Sequence, residues 1–166
     1  MSNAIRSLFA KYRQKGILID TNILLLYLVG SVNRARISKF NRTEKFTLED
    51  YDILLEIISF FPTRVTTPNV LTEVNSLSNQ LGEPERSTCL KIFAASMSLL
   101  DEQYIDSQTI SQQTEFVRFG LTDCGIIEVA RNQYLVLTDD LKLAGHLLSQ
   151  GIDTVNFNNL RILNWN

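Results

Sequence analysis

The sequence contains few cysteine and histidine residues: two cysteines and one histidine among 166 residues. Cys89 and Cys124 lack the spacing of a metal site, so we interpret them as reduced thiols of the core. This excludes a disulfide-stapled scaffold and a cysteine-ligated zinc module. The single histidine, His146, lies among leucines in a predicted helix. A ribonuclease that uses a pair of histidines is therefore excluded as well.

Long hydrophobic runs are also lacking. The longest uninterrupted apolar run, residues 23–29, is much shorter than the roughly 20 residues that a membrane-spanning helix needs. The first residues include basic side chains but no apolar stretch followed by a small-residue cleavage site. We therefore expect a cytoplasmic protein with no membrane partner.

Positive charge is scarce in most of the chain and concentrated at its start. The net charge is −2, yet residues 1–46 hold nine Lys/Arg against two acids, and the remainder holds seven against sixteen. This asymmetry favours a basic surface on one side and an acidic pocket or an acidic partner on another. A basic helix and loop that are merely solvated explain it equally well.

Short apolar segments alternate with helical patterns along the chain. Residues 16–20, 64–66, 134–138 and 153–157 read as strands. Thr47 marks one helix start, Thr67 followed by Pro68 marks another, and Thr122 is the expected cap of a later helix. We predict an α/β fold: a three-layer α/β/α sandwich with a mainly parallel central sheet. One domain spans 1–166, with a core at about 16–157 and a basic insertion at 31–46.

Four carboxylates occupy matching places in this pattern. Asp20 ends the first strand, and Glu73 points towards the apolar stripe of its helix. Asp123 and Asp140 each precede apolar residues at offsets of three, four and seven, whereas Asp139 is the more solvent-directed neighbour of Asp140. Each acid also has a structural interpretation, as a helix cap, a first-turn acid or a boundary residue.

Taken together, the four acids indicate a cation site. Unpaired carboxylates at the carboxyl ends of neighbouring parallel strands would repel one another, and burying an ionised carboxylate alone is costly. No lysine or arginine stands within four positions on the same face of these segments. Hard oxygen ligands suit Mg²⁺ or Mn²⁺, so we expect one of these cations as the cofactor.

Four segments resemble the PIN-domain ribonuclease family: "ILIDTNILL" around Asp20, "TPNVLTEV" around Glu73, "GLTDCGIIEVA" around Asp123 and "YLVLTDDLKLA" at 134–144. Their order and spacing agree with the family over residues 16–157. The resemblance implies a parallel α/β fold whose carboxylate pocket binds one or two Mg²⁺ or Mn²⁺ ions and cleaves single-stranded or looped RNA.

Carried over by position, the resemblance makes Asp20, Glu73, Asp123 and Asp140 the catalytic metal ligands. Asn22 and Thr138 match the polar residues that hold them, and Asp139 is an outer-sphere helper. The family includes bacterial toxins, so an antitoxin protein and a homodimer are implied partners. Residues 31–46 and the region after Glu83 are longer than in the small toxins.

The basic insertion is predicted to bind RNA at the mouth of the pocket and to be mobile. Phe40 or Phe46 would offer a stacking face for bases. The apolar side chains that could form a dimer interface are those of Tyr27, Phe60, Phe61 and Trp165. The predicted phosphate-binding cations are Arg34, Arg36, Lys39, Arg42 and Lys45.

Three other functions are alternatives to the nuclease. A haloacid-dehalogenase-type phosphatase needs an aspartate two residues after the first, where this chain has Asn22. A phospho-receiver domain needs a lysine at the end of a late strand, and neither late strand has one. A non-catalytic interaction module on the same scaffold remains the alternative from a different class.

Overall fold

The computed structural model describes residues 3–131 and 133–163. Its strands are β1 (Ile17–Ile19), β2 (Arg64–Thr66), β3 (Asp101–Glu102), β4 (Leu135–Thr138) and β5 (Thr154–Asn156). The α-helices of the described residues are α1 (Asn3–Tyr12), α2 (Thr21–Val32), α3 (Leu48–Phe60), α4 (Pro68–Ser78), α5 (Glu85–Met97), α6 (Ser107–Ser111), α7 (Phe116–Ala130), α8 (Leu141–Ser149) and α9 (Phe157–Leu163).

The strands form one five-stranded sheet in the order β3-β2-β1-β4-β5, and every pairing is parallel. Helices flank the sheet, so the predicted three-layer α/β/α architecture is confirmed. Helices α2 to α5 pack on one another, and α7 contacts α6 and α8. Right-handed crossovers put the connections that run towards β3 (α2 to α5) and those that run towards β5 (α6 to α8) on opposite faces of the sheet. Helices α4 and α7 also contact each other.

The central strands β1 and β4 are apolar because both of their faces are covered. Ile17, Leu18 and Ile19 are at most 1% exposed, and Leu135 and Val136 are fully buried. Helix α2 is apolar on all sides for a related reason, since it contacts α3, α4, α5 and β4. The apolar runs on either side of Asp20 are thus the middle of the sheet and the helix packed over it.

The predicted helix starts at Thr47 and Thr67 are confirmed. Thr47 forms a capping box with Asp50, and the hydroxyl of Thr67 accepts a hydrogen bond from the Val70 amide, with Pro68 in the first turn. Both caps satisfy amides that a helix leaves unpaired at its beginning.

Two elements differ from their prediction. Strand β3 was missed because its two residues, Asp101 and Glu102, are exposed acids at the sheet edge without apolar alternation. The helix around Asp123 is not capped by Thr122: α7 begins earlier, at Phe116, and is interrupted at Gly120, which has φ 76°. A positive φ suits glycine, and this break redirects the chain just before Asp123.

The basic insertion contains a 3₁₀ helix, Arg34–Lys39. Three apolar side chains anchor it: Ile37, Phe40 and Phe46 are at most 4% exposed. The prediction that Phe40 or Phe46 offers a stacking face for bases is therefore wrong, because both rings belong to the core.

The residues named for a dimer interface have different environments. Phe61 is fully buried and packs edge-on against Phe9, which removes it from any surface. Phe60 is 37% exposed and Tyr27 is half-buried, whereas Trp165 lies outside the described residues. Self-association stays a prediction.

Two further expectations concern the cysteines and membrane-spanning segments. Cys89 and Cys124 are buried free thiols, as expected. Among the described residues, no helix combines the length and apolar character needed to cross a bilayer.

Candidate active site

The acidic residues lie where the strand connections diverge. Strands β1 and β4 are neighbours, yet the chain leaves β1 towards β2 on one side and leaves β4 towards β5 on the other. Asp20 directly follows β1, and its amide donates to the Leu137 carbonyl of β4, 3.0 Å away. In open parallel sheets, this topological switch point is where ligands bind.

Asp20 is held rigidly at the base of the site. It is 6% exposed, and its two carboxylate oxygens accept from different donors: the Thr21 amide at 2.6 Å and the Thr138 hydroxyl at 2.5 Å. Desolvation raises the pKa of Asp20 to about 6 although both hydrogen bonds oppose the shift, and the charges of Asp139 and Asp140 add to it. Asp20 therefore caps α2, and its buried position disfavours the ionised form of its carboxylate.

Glu73 connects two segments of the site. Its Oε2 accepts from the Thr21 hydroxyl at 3.0 Å, and its Oε1 accepts from the Thr122 hydroxyl at 2.6 Å. These threonines are the chain neighbours of Asp20 and Asp123. The exposed carboxylate of Glu73 thus lies over the site, directed towards α2 and α7.

The pKa of Asp123 is raised further than that of Asp20. Desolvation, followed by the charges of Asp20, Asp140 and Glu73, raises the pKa of Asp123 to about 7, and the positive charge of Lys142 opposes this shift. Since all three other acids act on Asp123, the four carboxylates predicted from the sequence share one electrostatic environment. Asp20 and Asp140 follow the paired strands β1 and β4, Glu73 lies on α4, and Asp123 lies on the part of α7 that follows the Gly120 break.

The predicted roles of the two adjacent aspartates must be corrected. Asp139 is buried and Asp140 is exposed, the reverse of the prediction. Helical offsets do not apply to Asp140, because it is the extended N-cap of α8 (φ −79°, ψ 113°). Its Oδ1 accepts from the Lys142 and Leu143 amides, so Asp140 caps the helix and is not one of its first-turn acids.

Asn22 and Thr138 both support the acidic residues, by different contacts. The Thr138 hydroxyl donates to Asp20 and accepts from the Asp140 amide at 3.0 Å, so it joins the ends of both strands. The Asn22 amide group donates to Asp139 at 3.1 Å and does not contact the four candidate ligands through a hydrogen bond. Asn22 orients Asp139, and Thr138 orients Asp20.

Most cations of the basic insertion are engaged away from the acids. Arg34 forms a two-pronged ion pair with Asp52, Arg36 pairs with Glu85, and Arg42 donates to Gln80. Lys45 alone reaches the site, where it pairs with Asp139. Lys39 is exposed. The predicted phosphate-binding set is thus dispersed rather than gathered at the mouth of the pocket.

Sequence reasoning missed three site residues: Thr21, Thr122 and Lys142. Thr21 follows Asp20 and Thr122 precedes Asp123, so the sequence shows that each threonine is next to an acid. It does not show that both threonines donate to Glu73. Lys142 lies two residues after Asp140, a spacing that a same-face criterion rejects. It acts on Asp123 from another element.

His146 takes no part in the acidic site. Its ring lies 4.8 Å from the Phe119 ring, and Nε2 is 3.7 Å from the Glu115 carboxylate. Its side chain is mostly buried. The interpretation of His146 as a packing residue agrees with these contacts.

The donor chemistry fits a divalent cation, although the side-chain orientations are not those of a finished metal centre. Within 3–131 and 133–163, no group of three or more His, Cys, Asp or Glu side chains is arranged to hold a metal ion. Asp20, Glu73 and Asp140 direct oxygens to hydrogen-bond donors of the protein. Burial raises the pKa values of Asp20 and Asp123, and the charges of neighbouring acids raise them further, so a hard cation would stabilise the ionised forms.

No family model matches the chain, and no curated protein matches it.

Proposed function

We propose that the chain is a Mg²⁺- or Mn²⁺-dependent endoribonuclease that hydrolyses phosphodiester bonds of single-stranded or looped RNA. The supporting observation is geometric: Asp20 and Asp140 follow the paired strands β1 and β4, and Glu73 accepts hydrogen bonds from Thr21 and Thr122, the chain neighbours of Asp20 and Asp123. The PIN-like pattern of these acids in the sequence supplies the reaction class.

The chain's own residues would share the work as follows. Asp20, Asp123 and Asp140 would hold the cation, with Glu73 completing the set of ligands. Thr21 and Thr138 fix the Asp20 carboxylate by hydrogen bonds of 2.6 and 2.5 Å, so this ligand needs little reorganisation. Asp140 and Glu73 would turn away from their present donors to complete the site.

The cation would supply Lewis acidity: it lowers the pKa of a bound water and neutralises charge on the phosphate. A water nucleophile makes the 2′-hydroxyl unnecessary, in keeping with His146 lying outside the site. The products should therefore carry no 2′,3′-cyclic phosphate.

The test is a cleavage assay on labelled single-stranded RNA with Mg²⁺, with Mn²⁺ and with a chelator. We expect metal-dependent cleavage by the wild type and its loss in Asp20→Asn and Asp123→Asn. Glu102→Gln, which removes an exposed acid of the sheet edge, should keep full activity. Activity that persists in the chelator, or in both site variants, contradicts the proposal.

A non-catalytic interaction module is the second candidate. Its supporting observation is that Asp140 uses its side chain to cap α8 and Glu73 bonds to two threonines, as acids of a purely structural network would. Unchanged RNA under every metal condition, together with no metal-induced change in melting temperature, favours this candidate.

A further inference from the structure

A second cluster of cations, outside the basic insertion, lies beside the acids. It consists of Arg118 on α7 and Lys142 on α8, both exposed and both against the ring of Phe119. The Arg118 guanidinium carbon is 4.9 Å from the ring centroid, and the Lys142 ammonium nitrogen is 4.8 Å from it. Cation–π contacts of this kind orient the charged groups without neutralising them.

The cluster is tied together and tied to the site. Lys142 Nζ donates to the Arg118 carbonyl at 2.8 Å, which connects α8 to the part of α7 that precedes the Gly120 break. Lys142 also acts electrostatically on Asp123. Among the described residues, neither Arg118 nor Lys142 has a carboxylate ion-pair partner.

Exposed apolar side chains accompany these cations. Leu141, between Asp140 and Lys142, is 70% exposed, and Val117, next to Arg118, is 98% exposed. Leu121, two residues before Asp123, is 37% exposed. Apolar surface beside cations without carboxylate partners can contact both parts of a single nucleic-acid strand, the apolar faces of its bases and its negatively charged phosphates.

We infer that Arg118 and Lys142, supported by Phe119, form the phosphate-binding subsite for the RNA strand next to the acidic site, and that Leu141 contacts a base there. This inference rests on the proposed nuclease function and assigns its substrate-binding residues. It moves RNA recognition from the basic insertion to the α7–α8 side, where neither cation has a carboxylate partner among the described residues and Lys142 acts on Asp123.

The geometry gives this cluster an advantage over the insertion. Arg34 and Arg36 would have to break ion pairs with Asp52 and Glu85 before binding phosphate. Arg118 and Lys142 are already held by a ring and a carbonyl, so little conformational entropy is lost on binding. Two ordered cations beside four carboxylates also offset the repulsion between the acids and a phosphate backbone.

The test compares two double variants with the same change in charge. Arg118→Gln/Lys142→Gln removes the subsite, and Lys91→Gln/Arg131→Gln removes two exposed cations elsewhere on the surface. Both are made in the Asp20→Asn background, so that cleavage does not interfere. Fluorescence anisotropy measures the Kd of a labelled single-stranded oligoribonucleotide as a function of salt, and thermal melting shows that all variants are folded.

We expect the subsite variant to raise Kd on the order of tenfold at ~0.1 M salt and to reduce the salt slope by about 1.4, since each phosphate contact on a single strand contributes about 0.7. The control should leave both values close to those of the parent. Leu141→Ser should weaken binding without changing the salt slope, because it removes base contact and no charge.

The outcomes separate this inference from the nuclease proposal. If both double variants bind alike, the subsite is rejected even when wild-type protein cleaves RNA. If only the subsite variant loses affinity while wild-type protein never cleaves RNA, the subsite stands and the nuclease is rejected. A parent protein that does not bind single-stranded RNA contradicts both.

Discussion

Lys45 of the basic insertion forms an ion pair with Asp139, whose carboxylate has no exposed surface. The other oxygen of Asp139 accepts from Asn22, and the backbone carbonyl of Lys45 accepts from Arg161 at 2.6 Å. Arg161 in turn pairs with the buried Asp50 of the α3 capping box. One end of the insertion is therefore bound to the loop that carries Asp140.

The first prediction concerns this ion pair. Lys45→Met leaves the Asp139 charge buried with only Asn22 as a partner, and we expect a loss of about 1–3 kcal/mol in the free energy of unfolding. Asp139→Asn should cost less, because the Lys45 side chain is half-exposed and regains water. Lys39→Met, an equal charge change on the same insertion, should be neutral.

Urea denaturation of the single and double variants measures these differences. The double variant Lys45→Met/Asp139→Asn should be close to Asp139→Asn alone, since the second change then removes no partner of a charged group. Additive losses would show that the two side chains do not interact in solution.

The second prediction concerns pH. The folded pKa values of Asp20 and Asp123, about 6 and about 7, exceed the ordinary values of aspartate, so the folded state binds more protons than the unfolded state in this window. Stability should therefore fall as pH rises from about 4 to about 7. Asp123→Asn should raise the melting temperature at pH 7.5, by roughly 2–4 °C per kcal/mol relieved, and much less at pH 4.

Differential scanning calorimetry at both pH values, without divalent cations, makes this comparison. Glu102→Gln provides the reference for removing an exposed acid. If Asp123→Asn lowers the melting temperature at pH 7.5, the repulsion inferred from the raised pKa values is absent.

The third prediction concerns the cation. A cation that binds only the folded chain stabilises it by mass action, so millimolar Mg²⁺ or Mn²⁺ should raise the melting temperature of wild-type protein at pH 7.5. Asp20→Asn/Asp123→Asn should show no such increase. NaCl at matched ionic strength separates binding from screening, and an equal increase in both proteins would rule out a site formed by these acids.

Much of the fold was predictable, because apolar residues and helix-capping residues recur along the chain in the patterns typical of strands and helices. The strand at residues 16–20 and the Thr67–Pro68 helix start follow from local apolar and capping patterns, and both are present in the structure. Strand β3 has no such pattern: Asp101 and Glu102 are placed by pairing with β2 alone. Tertiary pairing decided this element.

The acids of the site were predictable as a group, but not their individual contacts. Asp20 and Asp123 lie at positions that chain pattern can identify. The burial of Asp139 and the exposure of Asp140 could not be predicted from helical spacing, because Asp140 is a cap residue with an extended backbone and lies outside the helix. The effect of Lys142 on Asp123 could not be predicted either, because the two residues lie on different helices whose packing the sequence pattern does not give.

The last prediction concerns Thr138, which is fully buried and donates its hydroxyl to Asp20 at 2.5 Å. Thr138→Val keeps the shape of the side chain and removes the hydroxyl. One oxygen of the buried Asp20 carboxylate then loses its partner, and the Asp140 amide loses an acceptor. We expect a cost of about 1–3 kcal/mol at pH 8.

The same variant should show a pH signature. The hydrogen bond from Thr138 lowers the pKa of Asp20, so its removal should raise that pKa further above about 6. The cost of Thr138→Val should therefore shrink as pH falls and Asp20 becomes protonated in the folded state.

Thr66 provides the matched control for this change. It is equally buried at the end of the neighbouring strand β2, yet its hydroxyl has no hydrogen-bond partner among the described residues. Thr66→Val should be neutral or stabilising at every pH, because no bond is lost when the hydroxyl is removed. Chemical denaturation of both variants at pH 5 and pH 8 makes the comparison, and equal costs for the two threonines would show that the Thr138–Asp20 bond does not hold Asp20 in its ionised form.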